Sequence, residues 1–260
     1  MFRRPLSTES LSKKCGPVIA WGIDFYERRK FALAASQELE SKQLADCAIP
    51  EKANVVVLVA HPDDETLWAG GTLLMQGGWT TFVGTLCRAG DEDRAPKFFR
   101  ALDLLGAKGA MADLDDGPEQ TPLEHSQVRT TLLSLVSREH VDLILTHSPR
   151  GEYTRHLRHE EVSRCVLRMW ACGEIQSREL WLFAYDDEGG RRLPSAESDA
   201  DIFVELSDEV WAIKRDLLTR IYGFVPDSWE AQTNPRREAF WRLTMPEDAW
   251  ASLRRGRLRQ

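Results

Sequence analysis

The sequence predicts an α/β fold, with three α/β/α layers around a mostly parallel sheet. Three observations predict it. Short runs dominated by Val, Ile and Leu, such as Val55 to Ala60 and Val141 to Thr146, read as strands buried on both faces. Amphipathic segments, such as Arg94 to Gly106, alternate with these runs, and such alternation builds a parallel sheet covered by helices. Titratable residues also gather where the strands stop, the edge at which open α/β sheets bind ligands.

The chain has 260 residues, enough for one substantial domain with a real core. Apolar residues make up 42% and charged residues 29%, ordinary values for a globular protein. The net charge of -7 argues against general nucleic-acid binding, which wants a basic face. No apolar run approaches the ~20 residues of a membrane-spanning helix. The N-terminus has basic residues but no apolar stretch after them, so no secretory signal is expected. Cys15, Cys47, Cys87, Cys165 and Cys172 are scattered and contain no C-x-x-C pair. Free thiols in a reducing, cytoplasmic setting are the expectation. The sequence is compatible with a homo-oligomer.

Residues 1–50 are expected to form an arm and a helix, over about 24–46, that packs on the core. Residues 51–225 form the main domain, and 226–260 extend it. Val55 to Ala60 is the opening strand. A helical pattern with Leu67, Gly70, Gly71 and Leu74 follows. Gly77-Gly78 breaks the chain before a second strand, Trp79 to Cys87. Arg94 to Gly106 is a helix ended by glycine. Ala107 to Leu114 is a strand, and Leu123 to Glu139 a helix. Val141 to Thr146 is again a buried strand, and a helix runs from about His156 to Cys172. Arg178 to Tyr185 and Ile202 to Leu206 are late strands, and an exposed loop joins them. Ser207 caps a helix reaching about Tyr222. Trp229, Trp241 and Trp250, with nearby arginines, suit a structural cap more than a sugar site.

The organising stretch is Ala53 to Met75, ANVVVLVAHPDDETLWAGGTLLM. Acids in a first helical turn are common, because they offset the helix dipole. That accounts for Asp64 or Glu65, but not for His61 and Asp63 beside them. His-x-x-Asp at a strand end lets an imidazole and a carboxylate reach one ion, and zinc takes these ligands. A second cluster follows the strand ending at Thr146, where His156 and His159 open a helix. Residues three apart on a helix share a face, so the two rings can converge.

Ala60-His61-Pro62-Asp63-Asp64-Glu65 resembles the signature of the PIG-L/LmbE-like zinc-dependent de-N-acetylases, and the likeness runs over about residues 54–220. The resemblance implies a Rossmann-like sheet, one Zn2+ per chain and a small N-acetylated sugar substrate. It implies that His61, Asp64 and His159 hold the metal, leaving a position open for water. Asp63, whose side chain diverges from that of Asp64, becomes the general base, and His156 stabilises the oxyanion. Arg88, Asp91, Asp116 and Tyr153 would line the substrate. The family usually has His-Pro-Asp-His where this chain has His156-Leu157-Arg158-His159, with one extra residue after Tyr153. Glu152, Glu160 and Glu161 are candidates to replace the missing aspartate.

The resulting expectation is a hydrolase that removes an N-acetyl group from an amino sugar or its conjugate. A related amidase acting on another N-acyl substrate, and a non-catalytic family member, remain open. A nucleotide-binding module is disfavoured, because there is no G-x-G-x-x-G and acids sit where phosphate would go.

Overall fold

A computed structural model describes residues 49–257 apart from 120 and 137–140, together with Glu27. The helix expected over 24–46 lies outside the described residues, Glu27 excepted. The expected alternation is present as β1 (Asn54–Val59), α1 (Asp64–Met75), β2 (Thr80–Cys87), α2 (Arg94–Leu105), β3 (Lys108–Leu114), α3 (His125–Leu135), β4 (Val141–Thr146), α4 (Leu157–Ala171) and β5 (Ser177–Phe183). Then come a small hairpin, β6 (Tyr185–Asp186) and β7 (Ser195–Ala196), and β8 (Ile202–Glu205). The last elements are α5 (Asp208–Asp216), a π-helical turn at Leu217–Ile221, α6 (Trp229–Thr233), β9 (Arg237–Leu243) and α7 (Pro246–Arg257).

Seven strands form one sheet in the order β3-β2-β1-β4-β5-β9-β8. The first five are mutually parallel, and β9 runs antiparallel to both β5 and β8. The chain winds outward from β1 in one direction and then returns to place β4 on β1's other side. That reversal opens a crevice beyond the carboxyl ends of β1 and β4.

The apolar run of β1 is explained by its place at the centre. Val55, Val57 and Val59 face the core shared with α1, α2 and α5. Val56, Leu58 and Ala60 face the core shared with α3, α4 and α7. Period-two side chains with helices on both faces leave no position for a polar residue. Gly106 ends α2 in the left-handed conformation at φ 71°, as its position suggested. Gly71 serves packing rather than phosphate binding: a Cβ there would lie 2.3 Å from Leu206.

The sequence reading differs from the structure in its last third. The segment expected to be an exposed loop contains the β6–β7 hairpin, and Asp187 within it is buried. Residues 237–243, not expected as a strand, are β9, inserted between β5 and β8. Its charged residues hid it. Glu238 is fully buried and ion-paired with the buried Lys214 at 2.7 Å. The same carboxylate accepts the Gly71 and Thr72 amides at 2.8 and 2.7 Å. Lys214 therefore ties α5 to β9 and α1.

Candidate metal-dependent active site

β1 delivers His61 to the crevice, and α1 starts at once behind it. The His61 amide donates to Asp64 Oδ2 at 2.8 Å, which closes the turn between strand and helix. Asp63 is the N-cap residue of α1 and has φ 123°, a left-handed-side conformation for a non-glycine residue. Such strain persists only where surroundings impose it. Here Glu65 imposes it: buried and 0% exposed, it accepts the Asp63 amide at 3.0 Å and the Tyr222 hydroxyl at 2.6 Å.

α4 brings the second cluster. His156 is its N-cap residue and His159 lies in its first turn. His61 Nδ1 lies 3.2 Å from Asp64 Oδ2 and 3.2 Å from His159 Nε2, and His159 Nε2 lies 3.4 Å from Asp64 Oδ1. Metal–donor bonds of 2.0–2.1 Å in a tetrahedron separate donors by about 3.3 Å. The two imidazole nitrogens have that spacing, and the Asp64 carboxylate meets His61 through Oδ2 and His159 through Oδ1, so imidazole and carboxylate donors of the types zinc accepts converge here. Asp64, His147 and His159 also form a buried candidate metal group.

Each imidazole of that triangle is held from behind by a carboxylate. His61 Nε2 faces Asp116 Oδ1 at 3.1 Å. Asp116 Oδ2 in turn accepts from Arg88 Nε and Nη2 at 2.8 and 2.6 Å. His159 Nδ1 faces Glu152 Oε2 at 2.6 Å. Carboxylates in this position fix the tautomer and the ring angle of a ligating histidine. Asp64 is held by the indole of Trp68, whose Nε1 donates to its Oδ1 at 3.3 Å.

The two neighbouring aspartates are driven apart electrostatically. Burial pushes the Asp63 carboxyl well above the usual range, and the charge of Asp64 pushes it further, against Arg94 and His61. Arg94 Nη1 sits 3.3 Å from Asp63 Oδ2. Burial also opposes charge on Asp64, but His159 and His147 outweigh it and hold that carboxyl well below the usual range. One carboxyl stays ionised while its neighbour takes a proton more readily, the separation that marks acid–base assignments. Burial, then His159 and His61, lower His156 to about 3, so its ring is neutral. His156 stacks on His159 at 4.4 Å between centroids, and its Nδ1 is buried without a hydrogen-bond partner.

The structure thus brings His61, Asp63, Asp64, His156 and His159 together. Tyr153 borders them, its ring 5.8 Å from that of His156 and 4.5 Å from that of Trp229. Arg88 and Asp116 meet at the back of His61. Asp91 stands further out, accepting the Asp93 and Arg94 amides at 3.0 and 2.9 Å where α2 begins. Arg158 turns away from the histidines and donates to the Asp115 and Thr121 carbonyls and to Glu161.

One residue at the site escaped the sequence reading. His147, just past β4, is completely buried, and its Nε2 accepts the Ala60 amide at 3.0 Å. Its Nδ1 faces Glu152 Oε2 at 3.0 Å. Burial would lower its pKa, yet the charges of Glu152 and Asp64 raise it to about 9. The Ala60 amide needs a lone pair on Nε2, which the uncharged ring offers with its proton on Nδ1; Nε2 also lies 3.5 Å from Asp64 Oδ2. The signal available in sequence was position alone: a histidine directly after a central strand, matching His61 after β1.

Among the described residues, no helix is long and apolar enough to cross a membrane. Residues 56–170 match the family model described as PIG-L, GlcNAc-PI de-N-acetylase. An uncharacterised protein of Acanthamoeba polyphaga mimivirus is 24% identical over 149 residues, covering 52% of this chain and 63% of that protein. The 1D-myo-inositol 2-acetamido-2-deoxy-alpha-D-glucopyranoside deacetylase of Corynebacterium glutamicum is 28% identical over 233 residues, covering 70% and 79%. Among solved structures, the N,N'-diacetylchitobiose deacetylase of Pyrococcus horikoshii superposes with a TM-score of 0.56 at 14% identity. That superposition covers 80% of this chain and 92% of the other, and it shows a shared fold.

Proposed function

We propose that this chain, whose residues 56–170 match the PIG-L family model, is a zinc-dependent hydrolase that removes an N-acetyl group from an amino sugar or amino-sugar conjugate. The observation that carries this reading is the donor triangle of His61, Asp64 and His159, with the Asp63 carboxyl beside it. The named deacetylases among its relatives support the substrate class.

Zinc bound there would polarise the acetyl carbonyl and lower the pKa of its water to about 7. The remaining work falls to this chain's residues. Asp63 accepts the proton of the attacking water as the new C–O bond forms, and its raised pKa suits a base that must later act as an acid. It returns that proton to the sugar nitrogen as the C–N bond breaks, leaving acetate and a free amine. Arg94, 3.3 Å away, orients the carboxyl and limits how far its pKa rises. His156 donates an N–H to the developing oxyanion as a neutral ring. Tyr153 and Trp229 form the aromatic wall against which the sugar rests. Arg88 and Asp91 lie at the outer rim. The free thiols of Cys87, Cys165 and Cys172 fit a cytoplasmic setting.

The test is acetate release from a panel of N-acetylated amino sugars by the zinc-loaded chain and by Asp63→Asn. The expected result is turnover of at least one amino sugar, with the variant about 10²–10⁴-fold slower yet binding zinc normally. A folded, zinc-bound Asp63→Asn protein with full activity would overturn the assignment of the base.

A further inference from the structure

Glu152 stands at the junction of the two halves of the site. It is completely buried and has three partners. Its Oε2 faces His147 Nδ1 at 3.0 Å and His159 Nδ1 at 2.6 Å, and its Oε1 accepts the Ser148 amide at 2.9 Å. His147 passes the connection on, since its Nε2 accepts the amide of Ala60, the residue before His61. A continuous path of hydrogen bonds therefore runs from the end of β1, through His147 and Glu152, to His159 on α4.

We propose that Glu152 is the positioning residue that joins the two motifs, by imposing the Nδ1–H tautomer on His147 and His159 at once. With its proton on Nδ1, His159 presents the Nε2 lone pair to the donor triangle. With its proton on Nδ1, His147 presents the Nε2 lone pair to the Ala60 amide and so holds the approach to His61 in place. The role rests on the metal-site reading proposed above. It also supplies a carboxylate although Arg158 stands where an aspartate is usual: the carboxylate comes from upstream of the helix and serves His159 rather than His156.

The geometry demands a carboxylate. All three partners donate, and a carboxylate has lone pairs on both oxygens and no hydrogen. A glutamine fails in either orientation. If its oxygen replaces Oε2, its NH₂ opposes the Ser148 amide. If its oxygen replaces Oε1, its NH₂ faces both Nδ1 atoms and drives each ring to the Nε2–H tautomer. That tautomer puts hydrogens against the Ala60 amide and into the donor triangle.

Two measurements on the full chain test this. The first reads the imidazole tautomers of His147 and His159 by ¹⁵N-resolved NMR. It uses alkaline buffer in which both rings have lost their second proton, with and without zinc. Both rings of the unsubstituted protein are expected to be Nδ1–H; an Nε2–H tautomer at either overturns the proposal. The second compares zinc affinity, by competition with a chelator, between the unsubstituted chain and Glu152→Gln. The variant is expected to bind zinc about 10–100-fold more weakly, with both rings changed in tautomer where the glutamine turns its NH₂ toward them. Equal affinity with unchanged tautomers overturns the proposal. The tautomer measurement needs no variant to fold. It also separates the two readings: absence of zinc binding by the unsubstituted chain refutes the metal site, while Nδ1–H rings in the metal-free protein still uphold Glu152's role.

Discussion

His61 Nδ1 and His159 Nε2 lie 3.2 Å apart, although 98 positions separate them in the chain. Two imidazole nitrogens and the Asp64 carboxylate crowd one point, an arrangement that a cation there relieves. His159→Ala removes the imidazole at one corner of that cluster. One zinc per chain is expected in the unsubstituted protein by elemental mass spectrometry, and the purified variant should hold far less. Retention of tight, equimolar zinc would mean that another group supplies the third ligand.

His156 is the residue for which metal ligation and oxyanion stabilisation make opposite predictions. It lies close enough to His61 and His159 for the three to be a candidate metal group, yet its Nδ1 is buried without a partner. As an N–H donor to the oxyanion, its loss in His156→Ala should cost about 10²–10³ in kcat. Zinc content should be unchanged. His156→Gln, which keeps a donor, should recover part of the rate. Loss of zinc together with activity in His156→Ala would instead assign His156 to the metal.

Much of this site was legible because its parts sit beside recognisable local signals. The Val55–Ala60 run announces a central strand, and His61, Asp63 and Asp64 follow it directly. His156 and His159 declare a shared face by their spacing. What sequence could not show is which groups stand behind the ligands. Asp116 reaches His61 from 55 positions away. Glu152 is one of three candidate glutamates in the sequence, and only the folding of β4 and α4 singles it out by placing it between two histidines. His147 follows its strand as His61 does, but nothing in the local pattern says that its ring is turned inward. Strand β9 was hidden for a related reason: Glu238 and Lys214 neutralise each other in the interior, and neither residue signals burial alone.

The loop that carries Tyr153 into the site is tied down by Asp187 in the β6–β7 turn. Asp187 Oδ2 accepts the Thr154 amide at 2.7 Å, and Oδ1 accepts the Thr154 hydroxyl at 2.8 Å and the Gly189 amide at 3.0 Å. Burial opposes charge on this carboxyl, but the hydrogen bonds from Thr154 and from the Gly190 and Gly189 amides outweigh it and lower its pKa. The folded pKa therefore lies below the unfolded value of about 3.9. A depressed carboxyl contributes stability that is fully present above the unfolded pKa and is lost as pH falls through the folded pKa. Asp187→Asn keeps one acceptor oxygen and turns an NH₂ toward a donor. Its urea midpoint should fall below that of the unsubstituted chain at neutral pH. The gap should begin to narrow below about pH 4, as the unfolded carboxyl takes up its proton, and close further as pH falls through the lower folded pKa, where a hydrogen is put on the folded Asp187 carboxyl as well. Because Thr154 adjoins Tyr153, the same variant should raise KM more than it lowers kcat. A midpoint gap that is the same at acid and neutral pH would show that the carboxylate's charge does not hold the loop.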